Sequence, residues 1–317
     1  MRTAPQTDAP PCVIAYGPLR GGSTLLRLML DGHPALSCVG ESDFLVDHIR
    51  AGRDGAWRYD RAALESDRIF RASGLRLRDD LDGAAAFRDM VRQIGRNGAA
   101  IPVLMLHRGI DAAARLTGGA PILRLTRDPR DAARSAVGMG WAGTVWHGAD
   151  PWIRTEREWR AFADRRPAAR VHRVRFEDLV SEPEASLRAA CGFLGLPYDA
   201  SLLAYPATTT YDAPDAALAH QWRRRLTERE VALVEHRIGP LLQGSGYAPA
   251  GVPPHAPSVA ERLRLAVANR VAVWRWMVAR FGLAAPVLRG IGRRLGLRGL
   301  ARAAQRRMDV TTIKYLK

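Results

Sequence analysis

The sequence predicts an α/β protein in which a central parallel sheet is flanked by helices in three layers. Short apolar runs, typical of buried strands, alternate along the chain with segments of helical periodicity. A glycine-rich turn follows the first of these runs, at the position where parallel sheets bind anions. Arginines crowd the end of the sequence, which predicts a basic helical tail beyond the sheet.

The predicted sheet is built from four runs. The first, Val13 to Tyr16, leads through GPLRGGST into apolar residues at helical spacing, which predicts a strand, a tight turn and a helix. The runs Ile101 to Leu106 and Ile122 to Thr126 predict two further strands. Arg170 to Phe176 alternates in polarity as the fourth strand, and Pro183 to Leu194 follows as an amphipathic helix.

The remaining segments set the domain boundaries. Residues 50 to 97 have a mostly helical composition, and Thr227 to Leu242 is an amphipathic helix. PPHAPS, near Pro253, is the best linker candidate. We therefore predict a disordered leader at residues 1–11, one domain at 12–250 and the basic helical tail at 251–317.

Positive charge is concentrated in the tail. Residues 251–317 contribute +12 of the formal net charge of +16, from 14 arginines and lysines against two acidic residues. A polyanion or a membrane surface is therefore expected to contact the tail rather than the domain. Both lysines lie in the last four residues, so arginine supplies the cationic chemistry of the domain.

The cysteines and the first residues bear on the cellular compartment. Cys12, Cys38 and Cys191 are far apart and form neither a disulfide framework nor a zinc pattern, which favours a reducing compartment. The first eleven residues have no apolar run of signal-peptide length. The expected location is the cytoplasm, with the tail peripheral to the inner face of the membrane.

The glycine-rich loop predicts a phosphate site. It combines a fixed positive charge, a backbone that can approach an anion closely, and hydroxyl and amide donors, in Arg20, Gly21, Gly22, Ser23 and Thr24. The loop is close to a Walker A sequence, which indicates a P-loop-like fold, but Ser23 follows Gly22 where that pattern has lysine. The alternative interpretation is an ordinary glycine-rich turn.

A second anion site is predicted after the run Ile122 to Thr126. Arg127 at the end of that strand and Ser135 on the following helix can converge on one anion. Taken alone, RDPRD also fits a capped helix start with surface ion pairs. Two such segments at one sheet edge rarely coincide by chance, and together they favour a ligand with two anionic groups.

Three segments resemble the signature sequences of sulfotransferases that use 3′-phosphoadenosine 5′-phosphosulfate (PAPS). They are GPLRGGSTLLRLML, ILRLTRDPRDAARS and VHRVRFEDLVSEPEASLRAACGFLGLPYD. HQWRRRLTEREVALVEHRIGPLLQGSGY also resembles the helix that closes the domain of that family. The resemblance runs in order from Cys12 to Tyr247. It implies a P-loop-like three-layer fold and transfer of a sulfuryl group from PAPS to a hydroxyl or similar nucleophile.

The resemblance also implies roles for individual residues. The 5′-phosphosulfate would be held by Arg20, Gly21, Gly22, Ser23 and Thr24. The 3′-phosphate would be held by Arg127 and Ser135, and Phe176 stands where the family often has a tyrosine beside the adenine. Arg20 would neutralise charge during an in-line displacement at sulfur. No metal ion is implied, because no carboxylate cluster lies beside the loop.

Two residues are candidates for the base that takes the acceptor proton. The segment DGHPALSCVGES resembles tyrosylprotein sulfotransferases and their bacterial relatives, in which a glutamate after a strand faces the acceptor, and Glu41 has that position. Glu41 also fits a helix N-terminal glutamate favoured by the macrodipole. His107 is the rival base, since it ends a strand near the same sheet edge, although the family usually has a lysine in this region.

The acceptor class stays open at this stage. Carbohydrate, lipid, peptide and natural-product acceptors all fit, because variable loops set that choice. One alternative function is a P-loop nucleotide kinase, against which the missing Walker lysine argues. Another is a basic membrane-binding or nucleic-acid-binding protein that acts through its tail.

An apolar stripe at helical spacing runs through the tail. Its members are separated by three or four residues: Leu263, Val267, Val271, Trp274, Val278, Phe281 and Ala285. Flanking arginines are typical of a helix that lies on an anionic membrane, and these charges argue against a spanning helix. The alternative is that the stripe packs on the domain or on a second protomer, as in a homodimer.

Overall fold

The structure, a computed structural model, describes residues 11–98, 100–297, 299 and 303–308. The chain folds into two compact units. The first comprises the described residues up to Asp128 together with Pro151–Gln221, and the second comprises Pro129–Asp150 and the described residues from Trp222 onward. The predicted leader lies outside the described residues apart from Pro11. The division into 12–250 and 251–317 stays a prediction.

The first unit contains the sheets. Its strands are β1 (Val13–Tyr16), β2 (Leu36–Ser37), β3 (Ile49–Ala51), β4 (Trp57–Tyr59), β5 (Ile101–Leu106), β6 (Ile122–Thr126) and β7 (Val171–Arg175). One sheet has the order β2-β5-β1-β6-β7, and every neighbouring pair in it is parallel. β3 and β4 pair antiparallel in a separate hairpin. The predicted parallel sheet is thereby confirmed.

Helices occur in both units. They are α1 (Ser23–Asp31), α2 (Phe44–Asp47), α3 (Arg61–Ser66), α4 (Arg68–Ser73), α5 (Gly83–Ile94), α6 (Ile110–Leu116), α7 (Pro129–Gly138), α8 (Val145–Gly148), α9 (Asp150–Arg165), α10 (Phe176–Ser181), α11 (Pro183–Leu194), α12 (Trp222–Arg225), α13 (Glu228–Ile238), α14 (Val259–Phe281) and α15 (Ala284–Arg294). Short 3₁₀ turns lie at Arg96–Gly98, Ala200–Leu203, Tyr205–Ala207, Ala216–Leu218, Gly239–Leu241 and Gln243–Ser245. The second unit holds α7, α8 and α12 to α15.

Both faces of the parallel sheet are covered, because alternate residues of β1 and β5 enter two separate cores. In β1, Ile14 and Tyr16 pack in the core that receives α5 and α6. Val13 and Ala15 pack in the core that receives α1 and α11. Burying a large apolar side chain in this way contributes about 1.5–3 kcal/mol relative to leaving it exposed. This is the three-layer arrangement that the sequence predicts.

The segment predicted to be mostly helical also contains the hairpin of β3 and β4. Each of these strands has three residues, which is too short to show the alternation that marks a strand in a sequence. Arg58 and Asp54 form an ion pair across the turn. The helices that follow begin at aspartates whose side chains accept backbone amides, namely Asp60 for α3, Asp67 for α4 and Asp82 for α5.

Buried polar contacts hold the helices of the second unit together. Arg130 of α7 donates to Glu235 of α13 at 2.7 Å, and its guanidinium lies 3.7 Å from the ring centroid of Trp222. The Trp222 amide donates to Asp131 of α7 at 2.7 Å. These contacts join α7, α12 and α13. Within the described residues, no helix combines the length and the apolar composition needed to cross a bilayer.

Candidate functional site

The predicted phosphate segment, residues 17–24, consists of a loop of residues 17–22, which joins the end of β1 to the start of α1, and the first two residues of α1. The amide of Gly17 donates to the carbonyl of Leu106 in β5 at 3.1 Å. The amide of Gly21 donates to the carbonyl of Pro18 at 2.8 Å and closes a turn. The loop therefore lies at the carboxyl end of the sheet, immediately before a helix N-terminus, where anions bind in folds of this kind.

Gly22 is required by both its conformation and its surroundings. Its φ of 98° lies in the left-handed region, and a Cβ atom there would come within 2.2 Å of Cδ2 of Phe176. No side chain caps α1, and the first turn contains no acidic residue. Because the first amides of a helix have no partner inside the helix, those of Ser23 and Thr24 are positioned to bind an anion.

Arg20 is a strained residue of the loop. Its φ of 65° is uncommon outside glycine, and such conformations cluster at functional sites. Burial lowers the pKa of the Arg20 guanidinium below its ordinary value, while Tyr211 and Glu41 oppose that shift. The guanidinium therefore lies in a partly desolvated position in which its charge acts strongly on an anion.

Arg127 holds the loop in this conformation. It follows β6 and is 8% exposed. Its Nη1 atom donates to the carbonyl of Arg20 at 3.1 Å, and its guanidinium lies 4.0 Å from the ring centroid of Phe176. Its own carbonyl accepts from Nε1 of Trp152 at 3.1 Å. The two arginines predicted to bind separate anions are thus joined by a direct hydrogen bond.

Phe176 and Glu177 support the same region from the start of α10. Phe176 is buried, with its ring packed against Gly22 and under Arg127. Its predicted place beside the adenine stays a prediction. Glu177 is buried as well and accepts the amide of Asp128 at 2.8 Å, which fixes the backbone directly after Arg127.

Ser135 lies in α7, which belongs to the second unit, whereas Arg127 belongs to the first. The prediction that these two residues hold one phosphate stays a prediction. Ser23 and Thr24 occupy the first two positions of α1, and Ser23 is 8% exposed.

Glu41 lies at the same edge of the sheet as the loop. Its backbone forms a parallel bridge with Met105 of β5, and the Ser42 amide donates to the Met105 carbonyl at 2.8 Å. The Glu41 side chain is partly exposed and lies within electrostatic range of Arg20 and Arg108. The structure therefore brings the predicted acceptor glutamate and the loop arginine together.

His107 and Asp43 form a buried pair two residues beyond that bridge. Their side chains are 1% and 3% exposed. Asp43 accepts the His107 amide through Oδ1 and contacts Nδ1 through Oδ2, both at 2.8 Å. Because a carboxylate can only accept, the contact places a ring proton on Nδ1, and in the neutral imidazole the lone pair then lies on Nε2. Among the described residues, Nε2 has no hydrogen-bond partner.

The charge of Asp43 is stabilised by its neighbours. Burial by itself would raise the pKa of the Asp43 carboxyl, but hydrogen bonds and charge from His107, together with the charge of Arg108, outweigh it. The pKa of Asp43 therefore lies below its ordinary value. The Arg108 Nε atom also donates to Asp47 at 2.6 Å, and this pair raises the pKa of Arg108.

Helix α9 braces the loop that carries His107. The Thr155 hydroxyl donates to the His107 carbonyl at 3.1 Å. Glu158 accepts the Gly109 amide at 2.6 Å and the Tyr16 hydroxyl at 3.1 Å. The end of β5 is consequently a rigid support for the imidazole.

Asp43 and Tyr211 are not among the site residues predicted from the sequence. Asp43 precedes the apolar run FLV and resembles an ordinary helix cap, and only the bridge between Glu41 and β5 brings it to His107. Tyr211 lies in an irregular segment without periodicity. The sequence feature that could have indicated Asp43 is its position two residues after Glu41, next to the segment that resembles the acceptor-facing segment of tyrosylprotein sulfotransferases.

The fold and the site define a class of protein: an α/β protein whose P-loop-like turn, at the carboxyl end of a parallel sheet, places an arginine and the first amides of a helix where an anion can bind. A family model described as the sulfotransferase family matches residues 11–200. The chain belongs to the sulfotransferase family and is a transferase. Within the described residues, no cluster of three or more His, Cys, Asp or Glu side chains is arranged to hold a metal ion.

Solved sulfotransferase structures share the fold. The sulfotransferase domain of the Synechococcus PCC 7002 olefin synthase superposes with a TM-score of 0.54 at 22% identity, covering 74% of this chain and 97% of that domain. The sulfotransferase domain from the curacin biosynthetic pathway gives a TM-score of 0.56 at 18% identity, covering 76% and 99%. At these identities the likeness shows the fold alone. A search of curated protein sequences found no significant match to this chain.

Proposed function

We propose that this sulfotransferase uses PAPS as its donor and transfers the sulfuryl group to a hydroxyl or similar nucleophile. The observation that carries the proposal is the loop of residues 17–22, where a strained arginine and an uncapped helix start lie together at the sheet edge. Such an arrangement suits phosphate and sulfate groups. The family assignment favours this function over the nucleotide-kinase alternative.

The residues present fit a donor with two anionic ends. The 5′-phosphosulfate would lie against Arg20, Gly21, Gly22, Ser23 and Thr24. A side chain at position 22 would collide with Phe176, so the loop can keep this conformation only with glycine there. Arg127 and Ser135 are proposed to hold the 3′-phosphate, and Phe176 to lie beside the adenine. Bound PAPS supplies an activated sulfuryl group on a nucleotide leaving group.

Arg20 is proposed to stabilise the negative charge that shifts toward the leaving group during transfer. Its backbone is held in advance by the bond from Arg127, so little rearrangement is needed. A charge-assisted hydrogen bond of this kind contributes about 1.5–3 kcal/mol. Positioning and charge stabilisation together account for most of the catalysis expected in such displacements.

Glu41 is the proposed general base. Its carboxylate is partly exposed at the sheet edge and lies within range of Arg20, so an acceptor hydroxyl can touch it beside the loop. Nε2 of His107, in contrast, is buried. Removal of the hydroxyl proton by Glu41 would make the acceptor oxygen nucleophilic as the new sulfur–oxygen bond forms.

A specific observation favours His107 as the second candidate for the base. Asp43 orients its ring and fixes the proton on Nδ1, which is how a carboxylate prepares histidine in hydrolytic triads. For Nε2 to reach an acceptor, the side chains that cover it have to move when the acceptor binds. Variants of Glu41 and His107 separate the two assignments, as described in the Discussion.

Donor binding is tested by thermal unfolding with adenosine 3′,5′-bisphosphate, the product nucleotide of PAPS. We expect saturating bisphosphate to raise the unfolding temperature by several degrees, because a ligand at about 100 times its Kd stabilises by about 2.7 kcal/mol. ATP with magnesium lacks a 3′-phosphate and should stabilise much less. Equal stabilisation by ATP would overturn the PAPS proposal and leave the fold assignment intact.

Two variants sharpen that test. Arg127→Lys keeps the charge but loses the planar fork that spans Arg20 and Phe176, so it should reduce the bisphosphate shift. Arg188→Lys alters an exposed arginine on α11 and should leave the shift unchanged.

The acceptor is found by incubating the full-length protein with radiolabelled PAPS and an extract of its source. Carbohydrate, lipid, peptide and natural-product acceptors differ in solubility and mass, so mass spectrometry of the labelled product identifies the class. Absence of any labelled product, despite bisphosphate binding, would contradict the transfer step while leaving the binding site in place. The tyrosylprotein-sulfotransferase-like branch stays a prediction until this product is known.

A further inference from the structure

Helix α14 exposes a continuous row of apolar side chains. Val259, Leu263, Val267, Val271 and Trp274 are 76%, 66%, 55%, 49% and 40% exposed. Their separations of four, four, four and three residues place them on one face of the helix. Scattered exposed apolar residues are ordinary on a protein surface, whereas a continuous patch marks a site of interaction.

The other face of α14 is already packed within the second unit. Trp276 lies against Gly140, where an added Cβ atom would come within 2.0 Å of the indole. The Gly143 amide donates to Oδ1 of Asn269 at 2.6 Å, and an added Cβ atom at Gly143 would meet Ala272 at 2.5 Å. These contacts hold the helix against the loop between α7 and α8. The exposed row takes no part in them.

The surroundings of the exposed row are positively charged. The exposed arginines of α14 are Arg262, Arg264, Arg270 and Arg275. Among the described residues of the tail, the acidic one is Glu261, whose carboxylate pairs with Arg229 at 2.5 Å and with His255 at 2.9 Å. Because the Glu261 carboxylate is already paired with Arg229 and His255, it offsets little of the positive charge around the exposed row.

Helix α15 also exposes apolar and cationic side chains. Leu283, before its first turn, and Ile291 are 60% and 43% exposed, and Leu295 at its end is 67% exposed. Arg294 is exposed as well. The tail therefore presents apolar and cationic side chains on both α14 and α15.

We propose that the exposed face of α14 docks on an anionic lipid surface. Arginines beside an apolar row can reach phosphate headgroups while the row enters the interface between headgroups and acyl chains. Trp274 carries the kind of ring that is enriched at that interface. A second copy of the chain complements the face poorly, since two such faces would bring arginines together without an opposing carboxylate.

Flotation of the full-length protein with vesicles tests the proposal. Vesicles of equal parts phosphatidylcholine and phosphatidylglycerol should bind it about tenfold more tightly than phosphatidylcholine alone, and added salt should weaken binding because it screens the arginines. Val267→Glu places a carboxylate in the row and should reduce binding about tenfold. Leu218→Glu, at a site in the first unit that is 38% exposed, is the matched control and should bind like the parent protein.

The charges are tested separately by Arg264→Ser combined with Arg275→Ser, which should abolish most of the preference for phosphatidylglycerol. Circular dichroism and the bisphosphate thermal shift should be unchanged in each variant, since the substituted side chains are exposed. Equal binding to both vesicle types, or full binding by Val267→Glu, would overturn the proposal. A dimer in light scattering that Val267→Glu dissociates would assign the face to a second copy instead.

Discussion

At the scale of single residues, the two proposed candidates for the general base lie in different environments. Glu41 is partly exposed and lies within range of the loop arginine. His107 is buried, bonded to Asp43 and braced through its carbonyl by Thr155. A catalytic base has to contact the acceptor, so the partly exposed side chain of Glu41 favours Glu41 as the base. The fixed orientation of the His107 ring by Asp43 favours His107 instead.

We expect Glu41→Gln to lower turnover by about 10²–10⁴-fold, the usual contribution of general acid–base catalysis. The substitution keeps the size of the side chain and removes its basicity. The Kd for adenosine 3′,5′-bisphosphate should be unchanged, because Glu41 is not among the residues proposed to bind the donor. Transfer of label from PAPS to the acceptor measures the first effect, and calorimetric titration measures the second.

His107→Gln is the matched variant. If Glu41 is the base, His107→Gln should retain more turnover than Glu41→Gln when both variants are folded by circular dichroism. Near-normal turnover in Glu41→Gln together with loss in His107→Gln would reverse the assignment.

At the scale of structural elements, the loop of residues 17–22 stores backbone strain. Arg20 and Gly22 both have positive φ, and a strained residue of the Arg20 type costs about 1–3 kcal/mol. The bond from Arg127 to the Arg20 carbonyl and the bond from Gly17 to Leu106 hold the loop in place. Strain that is held by the surrounding structure gives a site organised before its ligand arrives.

Gly22→Ala should therefore destabilise the protein and abolish most bisphosphate binding. Alanine is disfavoured at the φ of 98° that Gly22 adopts, and its Cβ atom would lie 2.2 Å from the ring of Phe176. The loop or the ring therefore has to move. Gly55→Ala is the control, since Gly55 has a φ of 76° with no atom near the added Cβ. Urea unfolding measures the loss of stability, and the bisphosphate thermal shift measures the loss of binding. Equal stability and equal thermal shifts in the two variants would show that the contact with Phe176 is unimportant.

At the scale of the whole molecule, stability is linked to pH through carboxylates that the fold stabilises. Asp43 is the buried example, with a pKa below its ordinary value. A depressed pKa means that the unfolded chain binds the proton more tightly than the folded chain. The stabilisation is therefore present above the unfolded value of about 4 and is lost as pH falls through the folded value.

We expect Asp43→Asn to lower the free energy of unfolding at pH 7 by about 1.5–3 kcal/mol, since asparagine cannot replace both charge-assisted bonds to His107. The difference from the parent protein should shrink as pH falls below about 4, because the Asp43 carboxyl is protonated there in the unfolded parent and becomes protonated in the folded parent only at lower pH. Asp80→Asn is the control, because Asp80 is exposed and its pair with Arg78 should contribute little. Urea unfolding over a pH series checks both variants, and a constant difference at every pH would contradict the link to Asp43 ionisation.

The sequence by itself determined the alternation of strands and helices, because buried strands need apolar runs and amphipathic helices need a fixed period. It also placed the glycine-rich loop after β1 and Arg127 after β6, since glycine and arginine at the ends of parallel strands are typical of anion sites. The sequence did not predict the short strands of the β3–β4 hairpin, because three residues are too few to show a period.

Only the tertiary structure decided which of these residues meet. The parallel bridge of Glu41 with Met105 brings Asp43 to His107, and the turn of the loop places the Arg20 carbonyl against Arg127. It also decided which face of α14 packs on Gly140 and which remains exposed, since both faces carry apolar side chains. The physical reason is that periodicity reports burial along one element, whereas pairing between elements depends on contacts between residues far apart in the chain.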